Sequence, residues 1–307
     1  MNALYDVLAP AKLNLFLHIV GRRADGYHLL QSVFVLIDWC DTLHLERRAD
    51  GAITRHDLGP ALPADDLCLR AARLLQQRSG TPFGIDISIE KRVPWGAGMG
   101  GGSSDAASTL LALNRLWGLG WPLTRLLPLG LELGADVPFF LGGRNAFVEG
   151  VGERLTPIDL PAAWYAVLKP AAAIETRAIF ASPLTRRDTD AVILSGFLAD
   201  MARSGGRTLE GLDGSEEGFG RNDLQPAAEA ECADVASAAD RLAACFGNSR
   251  MTGSGSAVFA RAGTGAQPTA AMPADLPPGW VGRMCRGLEV HPLAGWASGT
   301  NDSRASA

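Results

Sequence analysis

Pro94-Trp95-Gly96-Ala97-Gly98-Met99-Gly100-Gly101-Gly102-Ser103-Ser104 leaves the backbone almost bare, with five glycines among the seven residues from Gly96 to Gly102. Without Cβ atoms such a loop curls until several N–H groups converge, and an anion can approach them closely. Ser103 and Ser104 are predicted to open a helix on which Ala106, Leu110, Leu113 and Trp117 recur at helical spacing. The first N–H groups of that helix carry the positive end of its dipole. Upstream, Ile85, Ile87 and Ile89 alternate with Asp86 and Ser88 across Phe83–Glu90, the pattern of a half-buried strand. Strand, glycine loop and helix together suit a triphosphate. A Walker A loop would need Gly-Lys-Ser/Thr, and no lysine follows these glycines. Gly96, Gly98 and Gly101 satisfy the dinucleotide spacing, but Leu119-Gly120-Trp121-Pro122 lacks the acid that a dinucleotide fold places roughly twenty residues on. A protein-kinase loop would run into a strand, whereas a helical pattern follows here.

Working outward, two strands are expected near Lys12–Val20 and Ser32–Asp38, joined by Gly21-Arg22-Arg23-Ala24-Asp25-Gly26. Asp65 and Asp66 precede a helical pattern through Leu67, Ala71, Leu74 and Leu75 that stops at Ser79-Gly80. A second helix over Thr124–Leu133 contains Pro128, which should bend it, and ends at Gly134 before Ala135-Asp136-Val137-Pro138. New strands and helices begin past Pro157 and Pro161. One helix is expected over Asp223–Phe246, ahead of the small-residue turn Thr252-Gly253-Ser254-Gly255-Ser256. Ser204–Gly220 reads as a flexible loop and the chain from Gly295 as a disordered tail. Strands and helices mix without steady alternation, which predicts an α+β class. The expected division is residues 1–160, residues 161–294 and a tail of 295–307.

The chain of 307 residues has a formal net charge of −5, which argues against the basic footprint of a nucleic-acid binder. Cys40, Cys68, Cys232, Cys245 and Cys285 are dispersed and read as reduced core thiols, not as a disulfide frame or zinc site. The five histidines show no metal-ligand spacing, and no apolar run reaches membrane-spanning length. A cytoplasmic protein without membrane or nucleic-acid partners is expected.

Pro94–Ser104 resembles the phosphate loop of the GHMP kinase superfamily, whose members phosphorylate small alcohols. Pro10-Ala11-Lys12-Leu13-Asn14-Leu15 is similar to that family's first motif, and Thr252–Ser256 to its third. Arg23–His28, Gly134–Pro138 and Phe147-Val148-Glu149-Gly150-Val151-Gly152-Glu153 resemble the branch that acts on a cytidine-bearing alcohol. The likeness runs from Pro10 to about Pro292 and thins between Pro183 and Arg221. It implies an N-terminal domain like domain 2 of ribosomal protein S5, a ferredoxin-like C-terminal domain and an active site between them. It also implies ATP as donor, with Mg2+ accompanying it, and 4-diphosphocytidyl-2-C-methyl-D-erythritol, an isoprenoid precursor, as acceptor.

Residue by residue, the resemblance makes Pro94, Gly96, Ala97, Gly98, Met99, Gly100, Gly101, Gly102, Ser103 and Ser104 the ATP loop. Asp136 would take the proton of the acceptor hydroxyl; by residue type alone it reads first as a cap or turn residue. Lys12 would orient Asp136 and stabilise charge on the transferring phosphate, where an isolated reading gives a surface lysine at a strand start. Asn14, two residues on, shares its side of the strand. Tyr27, His28 and Phe180 would hold the cytosine and distinguish this branch from mevalonate and homoserine kinases. Thr252, Gly253, Ser254 and Gly255 would approach the diphosphate of the acceptor. Asp66 stands where the family has asparagine near the adenine, and Asp105 receives no role.

Overall fold

The computed structural model describes residues 1–204 and 221–297. The expected loop Ser204–Gly220 lies, after Ser204, outside the described residues, as does the tail beyond residue 297.

Two long antiparallel strands, β1 (Ala3–Arg22) and β2 (His28–Arg48), form the backbone of the molecule. They far outrun the short strands expected from the sequence. Alternation is hidden because both faces are covered, so residues 9–19 of β1 are buried without a break. One edge of β2 pairs with β1 over most of its length. Its other edge pairs in turn with β5 (Ala146–Gly150), the end of β10 (Val281–Leu288) and β4 (Gly84–Glu90). The order β3-β4-β2-β10-β7-β9-β8 carries the sheet on through β7 (Trp164–Lys169), β9 (Val258–Arg261) and β8 (Arg250–Met251), with β3 (Ile53–Asp57) at its start. Among the described residues β6 (Arg154–Pro157) pairs only with β5. The division expected near residue 160 is therefore bridged by β10, which pairs with both β2 and β7.

Four helices cover one face. α1 (Leu67–Ser79) begins as read: the Asp66 carboxylate accepts from the Leu69 N–H, and Gly80 closes the helix at φ 68°. α2 (Gly101–Leu116) starts two residues before the expected serines, directly out of the glycine run. α3 (Leu123–Leu133) contains Pro128, and α4 (Val137–Gly142) follows after a three-residue link. Their apolar faces meet Leu36, Leu43, Leu45, Ile85 and Ile87 in the first core. A second core joins Leu13, Phe16 and Phe147 to Tyr165, Phe259 and Cys285, again across the expected boundary.

A third core packs α5 (Thr176–Ala181), α7 (Gln225–Glu231) and α8 (Ala233–Phe246) against β7 and β9. α6 (Leu194–Ser204) sends Phe197 into the second core. The single helix expected over Asp223–Phe246 is corrected to two. Cys232 is extended at φ −144°, yet its N–H bonds to Ala228 and its carbonyl accepts from Val235. One residue thus ends α7 and starts α8, letting Ala227 and Leu242 both reach the core.

All five cysteines are free; only Cys68 and Cys285 are buried, and Cys245 is exposed, so the expectation of uniformly core thiols is corrected. Among the described residues no helix is long and apolar enough to cross a membrane.

Candidate active site

The site begins with a lysine that a strand buries. Pro10 offers no N–H, and the β1–β2 register shifts between Pro10 and Ala11. Two residues on, the Lys12 side chain is 4 % exposed. Its Nζ donates to Asn14 Oδ1 at 2.5 Å, lies 3.7 Å from Asp136 Oδ2 and sits 4.5 Å from the centre of the Phe34 ring. Burial lowers the lysine's pKa, and the facing Asp136 charge opposes that fall. The Asn14 amide is held in one direction: Nδ2 donates to Ser32 Oγ at 3.0 Å, and Ser32 donates to the Phe16 carbonyl at 2.5 Å. The Asn14 oxygen is therefore left facing the ammonium.

Asp136 occupies the N-cap position of α4, as its residue type suggests, but its side chain makes no capping bond. The carboxylate is instead turned to Lys12 and is 31 % exposed, open on its other side. A cap residue that does not cap is free for other chemistry.

The glycine loop is arranged as an anion cradle. The carbonyls of Gly96, Ala97, Met99 and Gly100 accept from the N–H groups of Ser256, Ala257, Lys12 and Ser104 at 3.4, 3.3, 2.9 and 2.9 Å. No N–H from Gly96 to Ser103 donates to a described residue. The loop thus commits its acceptors to the protein and keeps its donors for something else. Gly98, at φ +73°, packs on the turn at 252–255 so closely that a Cβ there would lie 2.2 Å from the Thr252 carbonyl oxygen.

Sequence reasoning missed what anchors this loop. Asp41, fully buried on β2, accepts from the N–H groups of Arg92 and Val93 at 2.6 and 2.8 Å. Lys91 bridges Asp41 and Asp105, the latter at 2.5 Å. Burial pushes the Asp105 carboxyl up to about 8, against the pull of Lys91. Asp66 is occupied as well, capping α1 and pairing with Arg55 at 2.9 Å.

The other end of the site grows from the Asp25-Gly26 turn. Gly26 takes φ +91°, its carbonyl accepts from Arg22 Nε at 3.0 Å, and Asp25 accepts from the Tyr27 N–H at 3.3 Å. Tyr27 is thereby presented to solvent, 65 % exposed. His28 stacks on Phe180, ring centres 5.2 Å apart and planes 29° apart. Arg187 donates to the carbonyls of Phe180 and Ser182 at 2.9 and 2.7 Å, fixing the end of α5. Burial, then the charges of Arg187 and Arg22, lower the His28 pKa, so the imidazole is neutral at pH 7. Among the described residues its Nε2 is buried without a partner.

These pieces line one cavity of about 1000 Å3. It brings together Lys12, Asn14 and Asp136, the loop residues Gly98 and Gly100, the trio Tyr27, His28 and Phe180, and Gly253 with Ser254. Pro94, Gly96, Ala97, Met99, Gly101, Gly102, Ser103 and Ser104 do not line it, nor do Thr252 and Gly255, which stand behind it. Thr252 Oγ1 accepts from the Asn14 N–H at 2.9 Å, so its place is structural support of β1. Ser32, Thr176 and Arg177 line the cavity and were not singled out from the sequence. Isolated hydroxyls and a lone arginine carry no spacing that would mark them.

With that geometry in hand, known proteins are informative. Residues 66–144 match the family described as GHMP kinases N terminal domain. The 4-diphosphocytidyl-2-C-methyl-D-erythritol kinase of Methylibium petroleiphilum is 66 % identical over 97 % of this chain and 99 % of its own length. That of Variovorax paradoxus is 56 % identical over 97 % of this chain and 100 % of its own. A crystal structure of 4-(cytidine 5'-diphospho)-2C-methyl-D-erythritol kinase superposes with a TM-score of 0.70 at 33 % identity, covering 91 % of this chain and 98 % of that one. Homoserine kinase from Cytophaga hutchinsonii shares the fold at a TM-score of 0.60 and 19 % identity, covering 86 % of each chain. The mixed α/β architecture built on the β1–β2 pair is the GHMP kinase fold, and the chain belongs to the 4-diphosphocytidyl-2-C-methyl-D-erythritol kinase family of the GHMP kinases.

Proposed function

We propose that the chain transfers the γ-phosphoryl group of ATP to a hydroxyl of 4-diphosphocytidyl-2-C-methyl-D-erythritol, giving ADP and the 2-phosphate on the non-mevalonate route to isoprenoid precursors. The observation that carries this reading is the placement of the Lys12–Asp136 pair, Gly98 and Gly100 of the glycine loop, and the His28–Phe180 stack on one cavity.

The acceptor oxygen bonds to the γ-phosphorus as the bridging bond to the β-phosphate breaks towards ADP, and the hydroxyl proton passes to the open oxygen of Asp136. Lys12, its charge held by Asp136 and aimed by Asn14, offsets negative charge building on the equatorial oxygens. The free N–H groups from Gly96 to Ser103 hold the phosphates of ATP. Phe180 and Tyr27 supply flat faces for cytosine, and neutral His28 a hydrogen bond to its edge. Mg2+ would accompany ATP and neutralise phosphate charge when bound. The ATP lobe is assigned to residues 1–160 and the second lobe to 161–294, with β10 of the second paired to β2 of the first, and the free thiols fit a cytoplasmic setting.

The test is acceptor-dependent ADP release with 4-diphosphocytidyl-2-C-methyl-D-erythritol, mevalonate and homoserine. Turnover confined to the cytidylated alcohol is expected. Turnover with another alcohol instead would overturn the roles of Tyr27, His28 and Phe180.

A further inference from the structure

The acceptor carries two phosphates between its cytidine and the hydroxyl that reacts, so its bound form must lay a dianion along the cavity wall. Among the described residues, Lys12, Arg22 and Arg177 are the Lys and Arg residues that line that wall. Lys12 is committed to Asn14 and Asp136, and Arg22 donates to the Gly26 carbonyl at the base end. Of the two carboxylates that described residues place on the wall, Asp25 pairs with Arg23 at 2.8 Å and Asp136 with Lys12. The Arg177 guanidinium makes no hydrogen bond or ion pair with any described residue.

Its position follows from α5. Thr176 Oγ1 is 2.9 Å from Ser254 Oγ, which pins the first residue of the helix to the turn that packs against Gly98. Phe180 lies one turn on and stacks with His28. Arg177 and Phe180 are three residues apart and share a helix face. The guanidinium is therefore rooted between the aromatic end of the cavity and the meeting point of the two glycine turns.

We infer that Arg177 is a specificity-determining residue that binds the diphosphate of the acceptor and sets the preference for a nucleoside diphosphate ester over a plain nucleoside or an uncharged alcohol. A guanidinium offers paired donors that fit two phosphate oxygens at once, and charge-assisted bonds of this kind are the stronger class. The inference rests on the cytidine-binding reading of Tyr27, His28 and Phe180, and its test separates the two.

Binding of cytidine and of cytidine diphosphate to the full-length chain is measured by calorimetry, for the wild type, Arg177→Ala and Arg177→Lys. The wild type should prefer the diphosphate. Arg177→Ala should lose on the order of 10- to 100-fold in diphosphate affinity while cytidine affinity stays put. Arg177→Lys should fall between them, since a lysine keeps the charge but not the fork. In turnover the alanine variant should raise KM for the acceptor and leave kcat and KM for ATP unchanged. Equal loss for cytidine and its diphosphate would make Arg177 a support of α5 and overturn the inference, as would no loss for either. Failure of the wild type to bind cytidine or its diphosphate would instead bring down the base-site reading beneath it.

Discussion

Gly98→Ala probes how closely the phosphate loop and the turn at 252–255 are fitted. The new Cβ would lie 2.2 Å from the Thr252 carbonyl oxygen and 2.9 Å from the Gly255 nitrogen, where real contacts stay beyond 3.0 Å. One of the two turns must then retreat by roughly 0.8 Å, the difference between 3.0 and 2.2 Å, because both colliding groups are backbone. Overpacking of this kind costs about 1–3 kcal/mol. Holding alanine at φ +73° adds about 1–2 kcal/mol. Gly98 lines the cavity, as do Gly253 and Ser254 beside it, so either movement displaces the site. A misplacement near 1 Å is enough to lower kcat on the order of 100-fold. The control is Gly118→Ala, at φ +69° with nothing within 4 Å of its Cβ, which carries the backbone strain without the collision. Steady-state kinetics and urea unfolding of both variants decide the matter. Gly118→Ala should lose about 1–2 kcal/mol of stability and keep its kinetic constants. Wild-type kcat and KM for ATP in Gly98→Ala, or equal destabilisation in the two variants, would refute the reasoning.

Two further predictions concern carboxylates. Asp136→Asn keeps the shape beside Lys12 but accepts no proton, so kcat should fall about 10²- to 10⁴-fold, with affinity for ATP little changed by equilibrium titration; retention of most turnover would remove Asp136 from the proton path. Asp105, held up at about 8, keeps a proton in the folded chain that the unfolded chain has released above the ordinary carboxylate range. The folded state thus binds more protons between roughly pH 4 and 8, and stability declines as pH rises through that window. Asp105→Asn has no such proton to lose, so its urea midpoint should change less than the wild type's between pH 5 and 9; parallel profiles would contradict the account.

Much of this site was readable because it is local in the chain. The glycine run, Asp66 with Gly80 around α1, and the turn before Tyr27 each declare themselves within a few residues, where backbone demands and residue types agree. Asp136 was legible as a cap position and its chemistry only through resemblance; the missing capping bond is a fact of three dimensions. The Lys91–Asp41–Asp105 anchor joins residues 50 and 14 positions apart, and no periodic signal links them. The lengths of β1 and β2 were lost for another reason. Cover on both faces erases the alternation that marks a strand, and Lys12, Asn14 and Ser32 look like surface positions until the sheet buries them. Cys232 breaks a helix that its neighbours' composition would have continued.

The sharing of β2 along its outer edge also bears on how the protein is made. Gly287 and Leu288 of β10 pair with Ile37 and Leu36, and Leu293 and Ala297 fill the first core beside the helices of the N-terminal half. A chain emerging from the ribosome has synthesised β2 and the glycine loop long before it has the residues that finish their packing. Contacts separated by some 250 residues are the slowest to form, and an unpaired strand edge waits exposed until they do. The first core of the N-terminal half cannot be completed before residues 287–297 have been made, so the frame of the cavity depends on pairing across nearly the whole of the described chain.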